Sequence, residues 1–172
     1  MALDKIPLYR TGIGQDSHRF LSIESSKPCV IGGLIFDEVA GFNANSDGDV
    51  VYHALCNAIS SLSHTLIMGG IADELCTQDG ITDSEIYLQR AVDSLAPQKL
   101  FHIAIALEAK KPRFQGRFHE MRHHLARLLQ LQPEQVGLTA TSGEGLTDFG
   151  CGDGVHCLAI VTTVEWVAYE SS

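Results

Sequence analysis

Asp16 and His18 stand two residues apart, just past an apolar stretch from Leu8 to Gly14 that reads as a strand. Successive strand residues alternate faces, so a carboxylate and an imidazole at this spacing project to the same side. With one distant histidine they would form the three-ligand set of an open zinc site, whose fourth position is left to water or substrate. His53 is the candidate third ligand. It follows the small, polar stretch Gly41 to Gly48 and lies on a helix beginning near Asp49, with an apolar stripe of Val51, Leu55, Ala58, Ile59 and Leu62. At about 100° per residue, Asp49 and His53 point off that stripe, toward a cleft beside the loop. Ser46, with Asp49 three residues later, reads as a capping box at the helix start. The plainer alternative for Asp16 and His18 is an ordinary Asp–His hydrogen bond at a strand end.

Three other stretches carry chemistry-bearing residues. His119-Glu120-Met121-Arg122-His123 matches the H-E-x-x-H zinc-protease pattern. Its helix has the apolar stripe Phe114, Phe118, Met121, Leu125, Leu128, and both histidines fall off it on a solvated face. The longer metzincin pattern fails, with Ala126 in place of glycine and Leu129 in place of the third histidine. The pattern therefore reads as a surface helix. Lys110-Lys111-Pro112-Arg113 is the densest positive charge in the chain and suits a phosphate, although a solvated turn is the default. Thr141-Ser142-Gly143-Glu144 offers hydroxyls and backbone N–H groups to an anion, and Glu144 offers a carboxylate to an oxygen-loving cation. Neither a P-loop nor a dinucleotide-binding fingerprint is present.

The elements that must position these residues follow from periodicity and breakers. A second strand over Cys29 to Phe36 is interrupted by Gly32-Gly33, and the helix from Asp49 runs to about His64. Ile71 to Ile81 reads as loop, and Thr82-Asp83-Ser84-Glu85 opens a second helix to about Leu95. Leu100 to Leu107 is a strand, Gln115 to Leu131 a third helix, Val136 to Thr141 a short strand, Ser142 to Gly154 a glycine-rich loop, and Val155 to Val167 a long last strand. The order predicts a single α+β domain over 1–172: a mixed β-sheet with about three helices packed on one face. The last strand is largely apolar, so the other face needs cover, and burial by oligomerisation would supply it.

Composition narrows the classes. A chain of 172 residues with 45% hydrophobic and 19% charged residues is globular. A net charge of −9 argues against nucleic acid, whose backbone requires clustered Lys and Arg. No apolar run approaches the ~20 residues of a membrane span, and the start MALDKIPLYR has no signal-like apolar region, which points to the cytoplasm. Five cysteines without a C-x-x-C fit reduced thiols better than a disulfide framework.

Taken together, these residues resemble the 2-C-methyl-D-erythritol 2,4-cyclodiphosphate synthase family of the non-mevalonate isoprenoid pathway. Arg10-Thr-Gly-Ile-Gly-Gln-Asp-Ser-His-Arg-Phe20 is similar to the family's R-x-G-x-G-x-D-x-H-x-F. Ile31-Gly32-Gly33 and Asn45-Ser-Asp-Gly-Asp-Val-Val-Tyr-His53 are similar to its I-G-G and H-S-D-G-D-V-x-x-H segments. Asp83-Ser84, Lys111-Pro112-Arg113 and Ala140-Thr-Ser-Gly-Glu144 follow in the family's order.

The resemblance implies Zn²⁺ on Asp16, His18 and His53, and Mg²⁺ or Mn²⁺ near Glu144, bridging the α- and β-phosphates of a cytidine diphosphate substrate. It implies that the 2-phosphate attacks the β-phosphorus and expels CMP, in a homotrimer whose active sites lie between subunits. Lys111, Arg113, Ala140, Thr141, Ser142 and Gly143 match the loops that hold cytidine, while Ser46, Gly70 and Ala72 match positions near the phosphates and erythritol. Asn45 and Ser142 occupy the positions assigned to catalysis, but Asn45 stands where the family has histidine and Ser142 where it has threonine. Asn57 replaces the family's usual Asp, and the 70–83 segment is about three residues shorter. Cys151 and Gln15 replace an arginine and an aromatic residue of the central trimer cavity, where the family binds an isoprenoid diphosphate. Two other readings fit the same residues: a non-catalytic trimeric ligand-binding relative, and a metal-dependent nucleotide phosphohydrolase.

Overall fold

The computed structural model describes residues 5–168. Its frame is a four-stranded sheet in the order β1-β6-β4-β5, built from β1 (Lys5–Arg19), β4 (Lys99–Glu108), β5 (Val136–Thr141) and β6 (Gly154–Ala168). β6 runs antiparallel to both neighbours and β4 pairs parallel with β5, so β1, β4 and β5 all end at the same end of the sheet. A separate two-stranded hairpin, β2 (Val30–Ile31) and β3 (Leu34–Ile35), turns at Gly32 and Gly33. Both glycines have positive φ, +59° and +75°, where a side chain would be strained. The stretch expected as one interrupted strand is therefore this hairpin.

The helices are α1 (Val50–Ser63), α2 (Ala72–Gln78), α3 (Ser84–Asp93), α4 (Phe118–Leu128) and a four-residue α5 (Asp148–Cys151), and α1, α3 and α4 form a layer on one face of the sheet. α1 packs directly on β1 and β6, α3 packs on α1, and α4 packs against β5. The inward positions of the sheet alternate as pleating requires: Gly12 and Gly14 on β1, Val155, Cys157, Ala159 and Val161 on β6, Ile103, Ile105 and Leu107 on β4. All five cysteines are free thiols. No helix among the described residues is long and apolar enough to cross a membrane.

Three expectations need correction. Ile71 to Ile81, expected as loop, contains α2, a seven-residue helix of mixed propensity and fewer than two turns, too short to show a period. The capping box does not form: Asp49 is itself the N-cap of α1 and accepts from the Val51 and Tyr52 N–H groups, while Ser46 accepts from Gly48 N–H. The supposed polar side of α1 is also absent. Asp49 and His53 are buried, with every residue from Val50 to Cys56, because the hairpin, the sheet and α3 enclose the helix start.

Among the described residues, the opposite face of the sheet carries no long helix; only Phe149 of α5 reaches it, stacked on His156. Ile13 and Ile160 are register partners at its centre and stay 60% and 38% exposed, with Tyr9 and Phe101 meeting edge-to-face nearby.

Candidate metal centre

Asp16, His18 and His53 converge. Asp16 Oδ2 lies 2.9 Å from His53 Nδ1 and 3.1 Å from His18 Nε2, and the two imidazole nitrogens are 3.0 Å apart. Three unlike ligand atoms thus form a nearly equilateral triangle. Tetrahedral zinc with ligands at about 2.0–2.1 Å spaces them ~3.3 Å apart, so the triangle fits such an ion after slight relaxation. Among the described residues this is the one grouping of three or more His, Cys, Asp or Glu side chains able to share an ion. Burial pushes the Asp16 carboxyl up, but the neighbouring imidazoles of His18 and His53 outweigh it, holding the group well below the usual carboxylate range.

The sequence brings these atoms together by removing side chains elsewhere. A Cβ built on Gly14 would sit 2.2 Å from Ala58 N and 2.4 Å from Ala54 O, and one on Gly12 2.3 Å from Ala58 O. α1 therefore rests on the bare backbone of β1, and His53, near its N-terminal end, reaches Asp16 and His18 on the same inward face. Asp49 fixes that end of the helix. Its carboxylate accepts from Val51 and Tyr52 N–H and from Gly32 and Gly33 N–H of the hairpin at 2.7–3.2 Å. The buried ring of Phe42 packs against both Phe20 and His18, supporting the His18 side chain.

The trio opens into a cleft of about 370 Å³, also lined by Asn45, Ser46, Met68, Gly69, Ala72 and Cys76. Ala72 lines this space as expected; Gly69 rather than its neighbour Gly70 does so beside it. The loop carrying Asn45 and Ser46 is clamped from beneath. Lys27 Nζ donates to the carbonyl oxygens of Phe42, Ala44 and Ser46 at 2.9, 2.8 and 2.6 Å, using all three ammonium donors. Sequence reading missed Lys27, and only its place before Pro28, opposite the loop, hinted at it.

A second cleft, of about 320 Å³, lies at the carboxyl ends of the parallel strands β4 and β5, lined by Lys110, Pro112, Arg113, Phe114, Ala140, Thr141 and Ser142. The basic turn and the hydroxyl-bearing loop thus form one site, where open sheets commonly bind ligands. Lys111 is exposed beside it, and Gly143 and Glu144 follow with positive φ, Glu144 exposed at +48°. Glu144 lines neither cleft. β1 and β5 are the two edge strands, with β6 and β4 between them, so at ~4.8 Å per strand the second cleft begins two strands from the ligand trio, ~10 Å across the sheet. His119, Glu120 and His123 are exposed on α4, and Glu120 is paired with Arg117 at 2.7 Å, as a surface helix requires.

The sequence profile of the YgbB family matches residues 9–164. A 2-C-methyl-D-erythritol 2,4-cyclodiphosphate synthase from Chlamydia felis is 55% identical over 160 residues, covering 92% of this chain and 91% of that protein. A solved 2-C-methyl-D-erythritol 2,4-cyclodiphosphate synthase is 30% identical with a TM-score of 0.74, covering 90% of this chain and 99% of that one. Another, in a form bound to CDP, is 29% identical with a TM-score of 0.72 and the same coverage.

Proposed function

Because the chain belongs to the YgbB family, we propose that it converts 4-diphosphocytidyl-2-C-methyl-D-erythritol 2-phosphate to 2-C-methyl-D-erythritol 2,4-cyclodiphosphate and CMP. One observation carries the reading: the ligand triangle of Asp16, His18 and His53 opens into a cleft, in a chain whose similar relatives bear that name.

Bond making and breaking balance within the substrate. An oxygen of the 2-phosphate forms a bond to the β-phosphorus, the bond from that phosphorus to the α-phosphate oxygen breaks, and the electron pair leaves with CMP. No covalent enzyme intermediate is needed, so the protein's part is positioning and charge neutralisation. Asp16, His18 and His53 would hold Zn²⁺, and Glu144 with the substrate phosphates would hold Mg²⁺ or Mn²⁺, which keeps few protein ligands in such sites. Bound there, the ions supply Lewis-acid polarisation of phosphate oxygens and neutralise developing charge. Asn45 offers an amide donor and Ser46 its backbone to the cleft holding the phosphates and erythritol, beside Ala72 and the segment of Gly70. Arg113, Lys111 and the loop Ala140 to Gly143 receive the cytidine end, with Ser142 presenting its hydroxyl.

The two clefts lie on different strands of one sheet, and on this reading they meet on one substrate across two copies: a head-to-tail contact, repeated into a ring, would set the β5 edge of one copy beside the β1 edge of the next. We take that ring to be a homotrimer, its axis lined by the uncovered sheet face.

The reading is tested by incubating purified protein with the linear substrate, Zn²⁺ and Mg²⁺, and following products by ³¹P NMR. CMP with the cyclic diphosphate is expected. CMP with a linear bisphosphate would make it a phosphohydrolase, and tight substrate binding without turnover would make it a binding relative.

A further inference from the structure

His53 Nε2, on the ring edge away from the ligand triangle, lies 2.8 Å from Ser84 Oγ. Ser84 is the first residue of α3 and fully buried. Its hydroxyl lies 2.5 Å from Asp47 Oδ1 and 3.4 Å from Ser46 Oγ. Asp47 accepts in addition from Asp49 N–H at 3.0 Å and from Ser84 N–H at 3.2 Å, and its own N–H donates to Thr82 O at 2.8 Å. The loop before α1 and the start of α3 are thus zipped together around Ser84.

The donor count fixes the direction of this chain. A carboxylate only accepts, so the short contact to Asp47 uses Ser84's single hydroxyl proton. Ser84 oxygen must then accept from His53, and the remaining donor is Nε2–H. A neutral imidazole protonated at Nε2 is bare at Nδ1, the atom facing Asp16 and His18. If Ser84 donated to His53 instead, the ring proton would sit on Nδ1 and that nitrogen could not ligate.

We propose that Asp47 and Ser84 are positioning residues for the metal centre: a carboxylate–hydroxyl relay that holds His53 in the Nε2–H tautomer and leaves Nδ1 free to bind zinc. The metal site as read above is its premise; turnover is not. Partners beyond the ligands themselves orient metal-bound histidines in this way, and their loss typically weakens metal affinity about 10–100-fold. The residues come from two distant segments, 46–49 and 82–84, so metal affinity is tied to the packing of α3 on α1.

The test uses the full-length protein and reads metal, not product. Zinc affinity is measured by competition with a chromophoric chelator for wild type, Ser84→Ala and Asp47→Asn, with a thermal melt of each. Ser84→Ala removes the acceptor of Nε2–H. Asp47→Asn is nearly isosteric but brings amide donors to Ser84, freeing its proton to turn toward His53. Both are expected to bind zinc about 10–100-fold more weakly. The ¹¹³Cd-loaded, ¹⁵N-labelled wild type is expected to show coupling to His53 through Nδ1 and to His18 through Nε2. Coupling to His53 through Nε2, or wild-type zinc affinity in folded Asp47→Asn, would overturn the relay. If Ser84→Ala does not fold, Asp47→Asn and the cadmium spectrum decide alone. A wild type that binds zinc through the relay yet makes no cyclic product would overturn the synthase reading and leave the relay standing.

Discussion

Asn45 faces the metal cleft from the loop where the resemblance sets a histidine, and the two side chains differ in what they can do there. Asn donates a hydrogen bond but stays neutral, whereas a protonated histidine would add positive charge beside the charge-rich transition state of the proposed phosphoryl transfer. The loop backbone is held from below by Lys27, so the larger ring enters the open cleft without displacing its own support. Asn45→His is therefore expected to leave KM near its starting value and to keep or raise kcat, measured as CMP release at neutral pH. A large fall in kcat would mean that the cleft has been rebuilt around the amide. At this scale the convergence of the candidate ligands was legible because Asp-x-His is a local spacing and a strand fixes which way both residues face. His53 was found by a premise that failed: it is buried on a helix enclosed nearly all round, not turned outward from an apolar stripe. Ser84 and Asp47 were legible only as pieces of other motifs, since the bond that joins them spans 37 residues.

The element that carries the centre is α1 lying on β1, and the contact rests on two missing side chains. A methyl group on Gly14 would meet backbone atoms of Ala54 and Ala58, which cannot swing aside as a flexible side chain can. Gly14→Ala is expected to lift the helix and cost at least the upper end of the about 1–3 kcal/mol typical of overpacking, read by denaturant titration. Because His53 rides on that helix, zinc affinity should fall with it; unchanged affinity would show that the trio does not depend on the approach. Lys27 offers a complementary case. Its ammonium is matched to three carbonyls by number and direction, and burial lowers its pKa from the ordinary lysine value while Asp47's charge opposes the change. Lys27→Met keeps the stem and leaves three carbonyls without their donor, so kcat should drop as the Asn45 loop loosens, with a smaller loss of zinc affinity because Asp47 is also held by Thr82 and Ser84. Equal losses in both would mark Lys27 as a general structural support. The strands and long helices were readable from periodicity. α2 was not, because a seven-residue helix offers fewer than two turns over which a period could appear.

On the scale of the whole molecule, the sheet separates what the proposed reaction would join. β1 bears the ligand triangle at one edge, β5 the hydroxyl-bearing loop at the other, and the face between them shows Ile13 paired with Ile160 in the open. An apolar last strand predicts that this face needs cover, yet among the described residues no long helix provides it, and a sequence cannot state which surface of another copy would. In a trimer closed around this face, Ile160 of each copy would approach the axis, so Ile160→Glu would bring three carboxylates together in an apolar surrounding, where like charges and lost hydration both oppose association. The substitution lies outside the helical layer and away from the ligand triangle, so the subunit should fold and keep its zinc affinity. Analytical ultracentrifugation is expected to show a trimer for the wild type and a monomer for the variant. CMP release should fall at least 100-fold, because the two clefts then act on separate molecules, a loss of the size that positioning alone can supply. A fully active monomer would show that one chain completes the site by itself, and a monomeric, active wild type would remove the ring from the proposal altogether.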